Sequence, residues 1–173
     1  MRIELHFGDI TDLKADCLVN AVKPSLLGGG GVDGAIHRKA GKSLKEFCVT
    51  LNGCETGEAK LTPGFDLNAK FLIHTVGPRL GINISGPSSI DCENLKRSYI
   101  SCLKIATENK FKDLVFPNIS TGAYGFPKEL AAKISVETVI EYLNRNEFPN
   151  KVIFCCYDLK NLEYYISELK KYI

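Results

Sequence analysis

Apolar and polar residues alternate from Ile3 to Phe7, which predicts a strand. Cys17, Leu18 and Val19 form a short continuous apolar run, as a strand covered on both faces would. From Val32 to about Leu51 the spacing predicts helix, interrupted near Gly41. Lys70 to Val76 predicts a strand, apolar at Phe71, Leu72, Ile73 and Val76 and ended by Gly77-Pro78. Residues 80–90 are polar and rich in Gly, Ser and Pro, and predict a loop. Leu95, Tyr99, Cys102, Leu103 and Ala106 recur at helical spacing. Asp113 to Phe116 predicts a strand stopped by Pro117. A helix through Val136, Val139, Ile140 and Leu143 follows, then the apolar strand Lys151 to Cys156, then a helix through Leu162, Tyr165, Ile166 and Leu169.

Strands thus alternate with helices through most of the chain, the signature of an α/β fold with helices on both faces of a sheet. The expected architecture is a three-layer α/β/α sandwich. With 173 residues, no linker and no internal repeat, the chain predicts a single domain over residues 1–173. In such sheets ligands bind beyond the carboxyl ends of the strands. The loops that follow strands are therefore where chemistry is sought.

Composition excludes several classes. Twenty-two basic against 20 acidic residues leave a net charge of +2, too balanced for a nucleic-acid or membrane-surface protein. No apolar stretch approaches the ~18 residues that span a bilayer. The N-terminus, Met1-Arg2-Ile3-Glu4-Leu5-His6, lacks the apolar core of a signal peptide. The seven cysteines contain no C-x-x-C pair, so no metal site is expected, and reduced thiols suit a cytoplasmic protein. Nothing calls for a cofactor, and a monomer is expected.

Glycine is the compositional oddity. Five of the 15 fall between Gly28 and Gly34, in the loop after the second strand. Bare backbone there lets N–H groups approach an anion, and the helix that begins just after points its positive end into the same loop. This predicts a phosphate-binding loop; the competing reading is a surface linker. Two motif resemblances fail. Gly29 to Gly34 satisfies G-x-G-x-x-G, but about eight residues separate it from the strand that a nicotinamide-binding unit places directly before it. Gly41-Lys42-Ser43 imitates the end of a P-loop, but Ile36 stands where its first glycine belongs.

A second loop, Asn118 to Pro127, offers Ser120, Thr121, Gly122, Ala123, Tyr124, Gly125 and Phe126, suited to a second phosphate cradle with aromatic walls; the competing reading is an ordinary strand-to-helix turn. Two such loops in one small domain predict a ligand with two adjacent phosphates. Asp9, after the first strand, either receives an exocyclic amine or caps a turn. Tyr157, after the last strand, either stacks on a base or packs on the core.

Taken in order, these segments resemble a macrodomain. The resemblance is carried by Gly8-Asp9-Ile10-Thr11, by Leu18-Val19-Asn20-Ala21, and by Leu27 through His37. It continues through Gly57-Glu58-Ala59-Lys60-Leu61-Thr62-Pro63-Gly64, Ile73-His74-Thr75-Val76-Gly77-Pro78 and Ile119 through Pro127, and covers nearly the whole chain. It implies a mixed, roughly six-stranded sheet with ADP-ribose in a cleft over its crest. Asp9, Ile10 and Tyr157 would lie at the adenine. Gly30, Gly31, Val32 and Ser120 to Phe126 would follow the diphosphate and distal ribose, and Asn20 would belong to the same ligand site.

MacroD-type members remove ADP-ribose from acidic side chains and deacylate O-acyl-ADP-ribose. The implied partners are therefore ADP-ribosylated proteins or that metabolite. Within the resemblance Asp33 would orient the attacking water, against the alternative of a helix cap. His37, one turn on, would assist it directly or pack locally. The first loop departs from the family at Lys23, where the usual pattern Asn-Ala-Ala-Asn ends in an amide. Lys23 has no acceptor. It is either a surface cation, a donor to ribose hydroxyls or phosphate, or a residue that forms an adduct with opened ribose. The implied activity is hydrolysis at the distal ribose; the alternative is a non-catalytic reader of ADP-ribose.

Overall fold

The computed structural model describes residues 1–81 and 85–173. Among the described residues six strands form one sheet: β1 (Ile3–Phe7), β2 (Ala15–Ala21), β3 (Ala59–Pro63), β4 (Ala69–Thr75), β5 (Asp113–Phe116) and β6 (Lys151–Cys156). Their spatial order is β1-β6-β5-β2-β4-β3, parallel except for β3, which runs antiparallel on the β4 edge. The helices are α1 (Gly31–Ala40), α2 (Lys42–Val49), α3 (Ser89–Glu108), α4 (Lys128–Leu143) and α5 (Leu159–Leu169).

The continuous apolar strands divide their side chains between two cores, because successive residues of a strand point to opposite faces. Cys17, Val19, Leu114 and Phe116 join Leu95, Tyr99, Val136 and Tyr165 of α3, α4 and α5 on one side. Leu18, Leu72, Val115 and Cys155 join Ile36, Leu44 and Cys48 of α1 and α2 on the other. The expected α/β/α sandwich is thus formed. Leu18 is fully buried against α1 and α2, and cutting it to alanine would cost about 2–5 kcal/mol.

Two differences from the sequence reading have local causes. β3 was not expected: Ala59-Lys60-Leu61-Thr62-Pro63 has no continuous apolar run and ends in a proline, tolerated here because the strand is an edge. The expected loop over residues 80–90 includes 82–84, which lie outside the described residues, and its last two positions are already α3. Ser88 and Asp91 start that helix as a capping box: Ser88 Oγ accepts from the Asp91 amide at 3.1 Å, and Asp91 Oδ2 accepts from the Ser88 amide at 2.8 Å. The interruption expected near Gly41 is real, since Gly41 at φ 89° separates α1 from α2.

Because five strands run parallel, the loops after β1, β2, β4, β5 and β6 all emerge at one edge of the sheet. The candidate residues are distributed over those loops.

Candidate active site

Two adjoining cavities lie over that edge and share Gly31, Val32, Asn118 and Gly122 as walls. One, of about 370 Å³, is lined by Asp9, Ile10, Thr121, Tyr157 and Asn161 among others. The second, of about 230 Å³, is lined by Lys23, Gly29, Gly30, Asp33, Ser120, Ala123 and Tyr124 among others. The result is one elongated cleft crossing the first helix start, a shape for a long ligand with its charge near the middle.

The start of α1 leaves its first amides free. Its N-cap is Gly30, and among the described residues no side chain caps the amides there. Gly31 follows at φ 57°, a left-handed conformation that glycine adopts without penalty. Uncapped N–H groups and the helix dipole together attract negative charge. Ser120, on the facing loop, also has a positive φ of 66°, unusual for a residue with a side chain. That loop closes on itself, with the Phe126 amide donating to the Ser120 carbonyl at 2.9 Å.

Asp33 is the chemical centre of the narrower cavity. It is 3% exposed, unusual for an aspartate. It does not cap the helix; its Oδ1 instead accepts from Asn20 Nδ2 at 2.9 Å. His37 Nε2 lies 3.2 Å from the same oxygen, close enough for charge attraction but not aligned as a hydrogen bond. Oδ2 has no protein hydrogen-bond partner among the described residues and sits 3.3 Å from where a Cβ on Gly29 would be. Burial pushes the Asp33 carboxyl above its ordinary range, while the Asn20 amide, His37 and Lys23 pull it back. One oxygen is therefore held from behind, and the other faces the glycine loop.

Lys23 approaches from the solvent side. Its Cε and Nζ lie 3.3 and 3.6 Å from the same Gly29 position that Asp33 Oδ2 flanks, so cation and carboxylate bracket the loop. Asp9 takes up its capping role: Oδ1 accepts from the Thr11 amide at 2.9 Å and from Thr11 Oγ1 at 2.7 Å. Tyr157 does not pack on the core; it is 78% exposed at the wider end of the cleft. Tyr124 lines the narrower cavity, with the Arg79 guanidinium 6.0 Å from its ring centroid.

Four expected site residues stand behind the cleft instead of lining it. Phe126, expected as an aromatic wall, is buried in the core beneath its loop, because the turn at Gly125 (φ 73°) carries its side chain inward. Gly125 lies in that turn, its amide donating to the Gly122 carbonyl at 3.0 Å. Asn20, on β2, is fully buried and reaches the cleft only through Asp33. His37 likewise touches the site through Asp33 and lines neither cavity. Conversely, Asn118 and Gly77 line the cleft without having been singled out, as does Asn161. Asn118 was detectable as the second residue after β5; Asn161, inside α5, gave no signal.

The comparisons with known proteins follow the same segments. A family model described as Macro domain matches residues 19–135. The chain belongs to the Macro domain family. A macro domain of this length covers most of an O-acetyl-ADP-ribose deacetylase from Enterobacter sp. (strain 638): 47% identity over 168 residues, 95% of this chain and 91% of that protein. It is 46% identical over 172 residues to the ADP-ribose glycohydrolase MACROD2 of Homo sapiens, covering 99% of this chain but 40% of that protein. A Trypanosoma brucei macrodomain solved in complex with ADP-ribose superposes with a TM-score of 0.89 at 37% identity, over 97% of this chain and 69% of that one.

Proposed function

We propose that the chain binds ADP-ribose along the cleft and hydrolyses it from acidic side chains of proteins, and that the same cleft deacylates O-acyl-ADP-ribose. The adenosine would occupy the wider end, near Asp9, Ile10 and Tyr157. The diphosphate would cross the uncapped start of α1 at Gly30, Gly31 and Val32, opposite Ser120 to Ala123. The distal ribose would then meet Lys23, Asp33 and Tyr124. Named relatives with hydrolytic activities and a bound ADP-ribose in a structural neighbour support this reading.

The observation that carries it is the Asp33 carboxylate, buried at the cleft wall with one oxygen anchored by Asn20 and the other toward the glycine loop. Such a group orients a water molecule toward the anomeric carbon. The water oxygen bonds to that carbon, the ester C–O bond breaks, and the side-chain carboxylate leaves with the bonding electrons. The water proton passes to Asp33 or to the diphosphate of the substrate. Positioning and charge stabilisation of this kind need no covalent intermediate.

The chain is further proposed to act as one domain and as a monomer, in a reducing compartment such as the cytoplasm, which suits its seven unbridged thiols. The test is a time course with an ester-linked ADP-ribosylated protein, followed by mass spectrometry. Release of intact ADP-ribose supports hydrolysis. Tight binding without release would leave a reader, and free phosphate from a ribose-phosphate substrate would indicate a phosphatase.

A further inference from the structure

The segment Ile73 to Pro78 contains a histidine, His74, that touches neither cavity of the cleft. His74 lies on β4 directly opposite Asn20 in the parallel register with β2, and it is fully buried. Its Nδ1 is 3.3 Å from Asn20 Nδ2, and its Nε2 is 3.0 Å from Thr62 Oγ1 on β3. The Thr62 hydroxyl donates to the Pro63 carbonyl at 3.0 Å. Asn20 Nδ2 can only donate, so Nδ1 is the acceptor, the neutral ring carries its proton on Nε2, and the Thr62 oxygen accepts from Nε2–H while its own proton goes to Pro63. Burial, with a smaller contribution from His37, lowers the His74 pKa to about 3, so the ring is neutral and keeps that lone pair. The remaining Asn20 N–H goes to Asp33 Oδ1 at 2.9 Å. Each link from the edge strand to the carboxylate has one direction.

We propose that His74 is a positioning residue for Asp33, acting through Asn20. By accepting one amide proton of Asn20, it fixes which way the carboxamide faces and aims the other proton at Asp33 Oδ1. A carboxamide is nearly symmetrical in shape, so packing alone does not choose between its two orientations. Turned by half a revolution, Asn20 would set its own oxygen against the carboxylate. The His74 lone pair removes that alternative. A buried acceptor, with Thr62 fixing the tautomer, thus holds the anchored oxygen of Asp33 and leaves the other aimed at the glycine loop. The inference rests on Asp33 being the group that orients water.

Three variants test it. His74→Phe fills the space and accepts nothing, His74→Asn restores an acceptor where Nδ1 lies, and Thr62→Val removes the hydroxyl at nearly constant volume. His74→Phe is expected to lower kcat about 10- to 100-fold at unchanged KM, the range that loss of alignment at a reacting centre produces. His74→Asn is expected to stay within about threefold of the unmutated protein, and ADP-ribose affinity by calorimetry to remain within about threefold in all variants. Equal losses in the two His74 variants, or affinity falling in step with kcat, overturn the proposal, as does a folded His74→Phe with normal kcat. If the phenyl ring prevents folding, Thr62→Val decides: a lower kcat at unchanged affinity supports the chain of bonds, and no change overturns it. The side-chain amide NMR signals of Asn20 in the ligand-free protein separate this inference from the proposed function. They should shift and lose exchange protection in His74→Phe but not in His74→Asn, even if the unmutated protein released no ADP-ribose. Unaltered signals in His74→Phe would sink the positioning role by themselves.

Discussion

The carbonyl oxygen of Gly29 lies 2.7 Å from where a methyl group on Gly34 would stand. The glycine loop and the first turn of α1 therefore touch backbone to backbone, beside the place where Asp33 flanks Gly29. The Arg38 guanidinium, 3.2 Å from the same point, can swing away from an alanine at position 34, but the backbone carbonyl cannot, so the loop itself must move. Gly34→Ala is expected to destabilise by about 1–3 kcal/mol, as overpacking does, and to weaken ADP-ribose binding as the loop shifts. Gly30→Ala makes the opposite combination: a Cβ there meets nothing within 4 Å among the described residues, and its φ of −93° suits any residue. Its stability should stay within about 0.5 kcal/mol while affinity falls, because the added methyl enters the cleft. Thermal unfolding and calorimetry on both variants check the pair.

Asp33→Ala should separate binding from turnover. The carboxylate flanks the narrower cavity and its removal leaves the uncapped helix start in place. Release of ADP-ribose from an ester-linked protein is expected to drop about 100- to 1,000-fold, the contribution of a positioned acid–base group. Affinity for ADP-ribose should change by no more than a few fold. Equal losses in both would make Asp33 a binding residue and leave the attacking water without its orienter.

Lys23 is the position where cation and carboxylate bracket Gly29. A lysine there would donate to phosphate or ribose if the ligand lies along the cleft as proposed, and it draws the Asp33 carboxyl down in pKa. Lys23→Asn is expected to raise turnover by roughly threefold, under 1 kcal/mol, through an amide that both donates and accepts. Its ADP-ribose affinity should also become less sensitive to salt, since an exposed charge on the ligand path is gone. Unchanged binding and turnover would reduce Lys23 to a surface cation.

What the sequence disclosed followed from local physics. Strands β2 and β6 were visible because both faces are covered, and the two loops because glycine and hydroxyl residues follow strands. β3 was hidden because an edge strand needs no apolar run. Phe126 misled for a related reason: an aromatic beside glycines looks like a wall, and only the turn at Gly125 shows that it faces the core. The Asn20–His74–Thr62 links were illegible because they join residues up to 54 positions apart through strand register, which spacing along the chain does not report. Asp33 was legible as a carboxylate after glycines, but its burial was not.

Acid stability should expose that buried group of residues. The His74 pKa is lowered from 6.5 to about 3 by burial and by His37, so both folded and unfolded chains hold it neutral above 6.5. Between about 6.5 and about 3 the unfolded chain binds a proton that the folded chain refuses, and stability falls as pH falls. One proton gives a slope of at most about 1.4 kcal/mol per pH unit. Asp33 works in the opposite sense. Burial raises its pKa, so its contribution is present at low pH and is lost as pH rises through the folded value. Urea unfolding from pH 4 to 8 distinguishes the two. His74→Asn removes the titrating ring and should flatten the acid limb below pH ~6.5. Asp33→Asn should be more stable than the unmutated protein near neutrality, with the gain shrinking as the solution becomes acid, because the isosteric amide carries no charge to bury. An acid limb that is the same with and without His74 would mean the ring is not held neutral by the fold. The lone pair that orients Asn20 would then not be guaranteed.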